Sequence, residues 1–293
     1  MDSKSVKLPL VVIVGPTASG KTSLAIDVAK KFGGEIICAD SRSIYKGADI
    51  GTAKPTKREQ AGISHWGLDL VEPGEYFTVS DFKKYTDKKI FEIRSRKKLP
   101  ILVGGTGLYI DSIVFDYKFG PKVNSKLRQE LQQHSIDELQ KYCEMNNFPL
   151  PENYKNKRYL MRTIERCGEV PKSLEKPIEN CIIVGITTEK HKLRSRIEQR
   201  AEQMLVDGVA DEAKILGDKY GWEAEAMRSN IYPLVRQYLD NEISLGDVVA
   251  KSITLDWRLA KRQLTWLRRN RFIHWFTLND AEKYLNHELA IRK

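Results

Sequence analysis

The stretch that most constrains this chain is LVVIVGPTASGKT, residues 10–22. A short run of Leu, Val and Ile leads into Gly15-Pro16-Thr17-Ala18-Ser19-Gly20-Lys21-Thr22. This fits G-x-x-x-x-G-K-[ST], with a strand pattern before it and a helix pattern (SLAIDVAKKF, residues 23–32) after it. The glycines let the backbone curl so that successive N–H groups point into one hollow, and the helix N-terminus adds partial positive charge. Lys21 supplies a full charge, and the Thr22 hydroxyl is placed to ligate Mg²⁺. Residues 15–22 are therefore expected to cradle a diphosphate. The plain alternative, a glycine turn between strand and helix, leaves Lys21 and Thr22 without a purpose.

Further strand-like runs occupy residues 35–39, 99–103 and 181–186. Helical spacing is found over residues 76–96, with Phe82, Tyr85, Ile90 and Ile93 inward, and over 108–114. It recurs over 193–216, with Leu193, Ile197, Ala201, Met204 and Leu205 inward, and over 247–269, with Ile253, Trp257, Ala260, Leu264 and Leu267. Strands alternating with helices predict an α/β fold: a P-loop NTPase-like parallel sheet flanked by helices. Residues 120–179 read differently, as charged helical segments broken at 147–151 and at Val170-Pro171. The expected organisation is a first part of the core at 1–119, a helical insertion at 120–179, and a return to the core with basic C-terminal helices at 180–293.

Net charge is +10, a surplus that favours a polyanionic partner, most simply nucleic acid. Between residues 251 and 271 there are seven basic residues and a single acid, Asp256. The four cysteines, Cys38, Cys143, Cys167 and Cys181, form no C-x-x-C, which argues against a zinc site and a disulfide framework. No apolar run approaches a membrane span, and the hydrophobic stretch near the N-terminus is too short for a signal peptide. A cytoplasmic protein with no membrane partner is expected.

Asp40 closes the second strand. Ligands of open parallel sheets sit beyond the carboxyl ends of strands, so Asp40 and the phosphate loop are expected to face one crevice. There Asp40 is a magnesium-ordering acid or a general base, or else only caps the turn. Thr106, in a glycine turn after the third strand, faces the same crevice or merely serves that turn. His65 and Asp69 read more readily as structural. Arg196 and Arg200, four apart, share one helix face, which is either functional or simply solvated. Cys38 reads as core, and Trp257 and Trp266 as packing.

Taken together, GPTASGKT at 15–22, ADSRSIYKGADIGTAKP at 39–55, HWGLD at 65–69, LVGGTGLY at 102–109, RSRIEQRAEQML at 194–205 and LAKRQLTWLR at 259–268 resemble the bacterial tRNA dimethylallyltransferases, in family order and across most of the chain. The resemblance implies transfer of a dimethylallyl group from its diphosphate to the exocyclic N6 amine of the adenosine just 3′ of the anticodon. The tRNAs concerned read codons beginning with U; pyrophosphate leaves and Mg²⁺ assists. It implies that Gly15, Pro16, Thr17, Ala18, Ser19, Gly20, Lys21 and Thr22 hold the diphosphate together with Arg200. Thr22 would bind the metal, and Asp40 would accept the amine's proton. Ser41, Arg42, Ser43 and Thr106 would line the tRNA side. Arg128, Arg158 and Arg162 of the insertion would clasp the anticodon stem-loop, with Arg228 and Arg262 as further contacts. A cytoplasmic monomer is expected.

The chemistry suits the residues without the family. An adenine amine is a poor nucleophile, so departure of the diphosphate must lead, and Lys21, Arg200, Mg²⁺ and loop N–H groups meet the growing charge. The base must leave the RNA stack to react. The sequence departs from the family strings at Ile231, Pro233, Trp257 and Tyr159, which touches RNA binding more than the diphosphate site. Two other classes share the phosphate loop: a small-molecule kinase and an RNA-stimulated ATPase. An adenylate isopentenyltransferase would need neither the insertion nor the charge.

Overall fold

The computed structural model describes residues 8–120, 124–170 and 172–292. Residues 1–7 and the helix break expected at Pro171 lie outside the described residues. In chain order the elements are β1 (Leu10–Val14), α1 (Lys21–Phe32), β2 (Gly34–Ala39), β3 (His65–Trp66), α2 (Val79–Ser95), β4 (Leu99–Gly104) and α3 (Gly107–Val114). Then follow α4 (Ser125–Gln133), α5 (Ile136–Met145), α6 (Lys157–Glu165), β5 (Cys181–Ile186), α7 (Lys190–Val206) and α8 (Val209–Tyr220). A 3₁₀ turn at Glu225–Arg228 precedes α9 (Tyr232–Leu239), α10 (Leu245–Leu267), β6 (His274–Phe276) and α11 (Leu278–Ala290). The chain forms two compact units, one running to Val114 and resuming at Lys176, the other spanning Phe115–Glu175.

In the larger unit the strands lie in the order β3-β2-β4-β1-β5-β6, every neighbouring pair parallel. β1 is central, with Val12 opposite Leu102 of β4 and Ile183 of β5. It is buried along its whole length, as a strand covered on both faces must be, which explains its unbroken Val/Ile run. One face of the sheet packs Val11, Ile13, Ile101 and Val184 against Leu24, Ala25 and Val28 of α1 and Ala281 and Leu285 of α11. The parallel arrangement brings the carboxyl ends of β1, β2 and β4 to one edge, so the loops that follow them are neighbours.

The continuous helix expected over residues 193–216 is two helices. Gly208 sits at φ 91°, outside the helical region, and ends α7; α8 then restarts at Val209. Val209, Ala213 and Leu216 join a second core with Ile44, Tyr45 and Ala48 of the loop after β2, and with Tyr232 and Val235 of α9. α10 begins at a capping box: Ser244 accepts from the Asp247 N–H while the Asp247 side chain returns to the Ser244 backbone. Its Ala260 packs against Leu193 and Ile197 of α7, with Ala18 of the phosphate loop at the margin.

The smaller unit buries Leu131, Leu139, Cys143, Leu160, Met161 and Ile164 among α4, α5 and α6. Asn124, Ser135 and Asn156 cap these helices at their N-termini, each accepting a backbone N–H of the first turn.

Candidate active site

Residues 15–22 curl between β1 and α1. Ala18 and Gly20 take positive φ, 61° and 88°, which turns successive N–H groups the same way. The Lys21 ammonium folds back to donate to the Pro16 carbonyl at 3.0 Å. Burial pushes the Lys21 pKa down to about 8, against the pull of Asp40 and with the push of Arg200. One lysine, one carboxylate and one arginine from three separate elements therefore share a single electrostatic neighbourhood.

Because α7 packs on α10 beside Ala18, its arginines reach the loop. Arg200 Nη1 donates to Thr17 Oγ1 at 2.8 Å, and Arg196 Nη1 lies 3.4 Å from the Ala18 carbonyl. Gln263 of α10 accepts the Thr17 N–H at 2.8 Å. Two buried polar atoms here, Ser19 Oγ and Arg200 Nε, have no partner. Unpaired buried donors are costly, and a bound anion relieves that cost. The site is thus a cradle with donors on two sides.

Asp40 Oδ1 accepts the backbone N–H groups of Arg42 at 2.8 Å and Ser43 at 3.4 Å, so it does cap the turn. Its charge also reaches inward, helping to push the Cys38 thiol up to about 12, though burial is the main cause. Between the loops after β1 and β2 lies the Gly104–Gly107 turn. A side chain at Gly104 would begin 2.0 Å from the Ala39 carbonyl, and one at Gly105 would meet the Gln263 amide at 2.4 Å and the Gly15 carbonyl at 3.1 Å. Only glycine allows that approach. Thr106 donates its N–H to the Ala39 carbonyl and accepts the Ser41 N–H at 3.2 Å, binding the two turns together.

The remaining sequence candidates scatter. Arg42 Nη1 donates to the Glu225 carbonyl at 3.0 Å, and Arg228 pairs with the Glu225 carboxylate at 2.8 Å. Arg262 is exposed on α10. In the smaller unit Arg128 makes a two-pronged pair with Glu165 at 2.6 and 2.7 Å, and Arg162 reaches the same carboxylate at 3.1 Å. Arg158 and Tyr159 are exposed. His65 is held by the Ile63 carbonyl, and Asp69 by Lys54 at 2.6 Å. Trp266 packs on Gly107 and donates to Asp111 at 2.6 Å. Ile231 is core, Pro233 lies in the first turn of α9, and the Trp257 ring lies under the Lys261 ammonium.

Sequence reasoning gave no role to Gln263, Asp256, Lys54 or Glu212. Lys54 bonds Asp49, Asp69 and the Tyr45 carbonyl, and Glu212 takes the backbone N–H groups of residues 49, 50 and 51. Together they hold the loop that carries residues 41–43. No local pattern announces these contacts.

Among the described residues no three His, Cys, Asp or Glu side chains gather as a metal cage. The Thr22 hydroxyl, half-buried in the first turn of α1, is a hard oxygen beside the anion cradle. That donor suits Mg²⁺, which favours substrate phosphate oxygens and water over an all-protein cage.

A parallel sheet with a phosphate loop, a carboxylate at a nearby strand end and an arginine brought in from a distant helix defines a phosphate-loop protein with an anion cradle. The family model described as IPP transferase matches residues 43–270, and that described as isopentenyl transferase matches residues 8–75. The tRNA dimethylallyltransferase of Anoxybacillus flavithermus is 37% identical over 92% of this chain and 91% of its own. That of Bacillus subtilis is 35% identical over 93% and 91%. The crystal structure of the Bacillus halodurans tRNA isopentenylpyrophosphate transferase superposes with a TM-score of 0.75 at 32% identity, covering 98% of both chains. A eukaryotic dimethylallyltransferase that acts on tRNA shares the fold, with a TM-score of 0.78 at 23% identity over 92% of this chain and 74% of its own. The chain belongs to the tRNA dimethylallyltransferase family.

Proposed function

We propose that this protein transfers the dimethylallyl group of dimethylallyl diphosphate to the N6 amine of the adenosine 3′ of the anticodon, in tRNAs that read codons beginning with U. The observation that carries the reading is the Arg200–Thr17 contact, which closes the phosphate loop from a second side. A diphosphate leaving group needs charge neutralised on both phosphates at once. The bond between the allylic carbon and the diphosphate oxygen breaks, and its electron pair leaves with pyrophosphate. The carbon–N6 bond forms, and the amine's proton passes to the Asp40 carboxylate. Lys21, Arg200 and free backbone N–H groups of the phosphate loop hold the leaving group. Thr22 would hold Mg²⁺, which would supply further charge neutralisation there. Ser41, Arg42, Ser43, Thr106, Arg228 and Arg262 in the larger unit, and Arg128, Arg158 and Arg162 in the smaller, are the proposed tRNA contacts.

Among the described residues no helix is long and apolar enough to cross a membrane, and the net charge of +10 suits an RNA substrate. We place the enzyme in the cytoplasm, acting as a monomer, since one chain supplies the whole cradle. Digestion of treated tRNA to nucleosides, followed by mass spectrometry, tests the reading. One modified adenosine heavier by a dimethylallyl group, adjacent to the anticodon, is expected; unmodified tRNA would refute it.

A further inference from the structure

Asp256 is the one acid in the basic stretch of α10, and it is 7% exposed. A buried carboxylate must be paired, or its desolvation destabilises the fold. Its two partners are specific. Asn230, just before α9, donates Nδ2–H to Oδ1 at 2.7 Å. Arg200 Nη2 lies 3.8 Å from Oδ2. Arg200 in turn spends Nη1 on Thr17 Oγ1, and its buried Nε has no partner. The guanidinium is thus hydrogen-bonded to the phosphate loop at one corner, faces Asp256 at ion-pair distance at another, and keeps an edge donor unspent.

We propose that Asp256 is a positioning residue, which, held by Asn230, orients Arg200 so that its free donor meets the diphosphate. This rests on the reading that Arg200 grips that group. A long arginine side chain loses rotamer freedom when it binds an anion; one already oriented loses less. Charge alone predicts the reverse. A carboxylate near an anion site repels the anion, so if Asp256 acted only as a charge, removing it would tighten binding. The two effects have opposite signs, which makes the proposal testable.

Asp256→Asn is the informative change, because its side-chain oxygen still accepts from Asn230 while the charge facing Arg200 is lost. Binding of inorganic pyrophosphate with Mg²⁺ is measured by calorimetry on the full chain, with thermal melting to check the fold. Asp256→Asn is expected to weaken pyrophosphate about tenfold, within the range of coupling between contacting residues. Asn230→Ala, at a half-buried position, should weaken it in the same direction by less, and it carries the test if Asp256→Asn does not fold. In an Arg200→Ala background, Asp256→Asn should bring no further weakening. Unchanged or tighter binding in Asp256→Asn overturns the proposal, as does an undiminished loss in the Arg200→Ala background. If Arg200→Ala alone binds pyrophosphate like the wild type, the reading of the cradle falls and the proposal with it.

Discussion

Asp40 has two jobs that one substitution can separate. Its carboxylate caps the turn through the Arg42 and Ser43 N–H groups, and it faces the charge cluster of the cradle. Asp40→Asn keeps an acceptor for the turn and removes the base. Turnover should fall by about 10²–10⁴-fold, the usual worth of a general base, while tRNA affinity changes little. Wild-type turnover in the Asn variant would remove Asp40 from proton transfer. Lys21 gives a pH signature. Its folded pKa, about 8, lies below the ordinary 10.5, so the folded chain holds fewer protons than the unfolded one between those values. The free protein's stability therefore gains as pH rises from 8 towards 10.5, and the cost of the buried charge is fully present below 8. Pyrophosphate favours the charged lysine. Its affinity should decline as pH passes 8, with proton uptake on binding at pH 9; a flat titration from pH 7 to 9.5 would contradict this. Much of the residue scale was legible because residues 15–22 and Asp40 sit in continuous strand–loop–helix patterns. Gln263 and Asp256 were not: Gln263 meets Thr17 across 246 positions, and nothing local marks such a partner.

Among the elements, β1, β2, β4 and β5 were readable as buried runs, whereas β3 and β6, two and three residues long, are too short to show a pattern. The division of α7 from α8 was hidden for a different reason. The spacing of four at 193, 197, 201 and 205 carries on to 209 and 213, so local spacing gives no sign of a break at Gly208. The glycine alone marks the break. A side chain at Gly208 would have open space, its nearest neighbour Asp211 Oδ2 at 3.9 Å, so Gly208→Ala tests backbone strain without a clash. It should cost about 1–2 kcal/mol in urea unfolding, the penalty of a left-handed conformation for an ordinary residue. No loss would mean the junction tolerates a helical residue. The break matters for function, because α7 must end for Glu212 of α8 to reach the backbone N–H groups of residues 49–51.

At the scale of the whole molecule, a phosphate cradle and a long basic helix share one compact unit, and α10 belongs to both. Gln263 touches the loop while Arg262 and Arg269 face solvent. If these arginines track tRNA phosphates, neutralising both should flatten the plot of log affinity against log salt by about 0.7–0.9 per lost contact. An unchanged slope would make them plain surface charge. The central claim is that the cradle takes a prenyl diphosphate and not ATP. In a nucleotide hydrolase a second acid at a core strand end helps hold Mg²⁺; here β4 ends in Gly104 and runs on into Gly105 and Thr106. The most direct measurement gives the purified protein Mg²⁺, tRNA, dimethylallyl diphosphate and ATP together, and follows both phosphorylated substrates. Dimethylallyl diphosphate should be consumed one-for-one with prenylated adenosine while ATP is untouched. Steady tRNA-stimulated ATP hydrolysis with no mass gain on the tRNA would contradict the account.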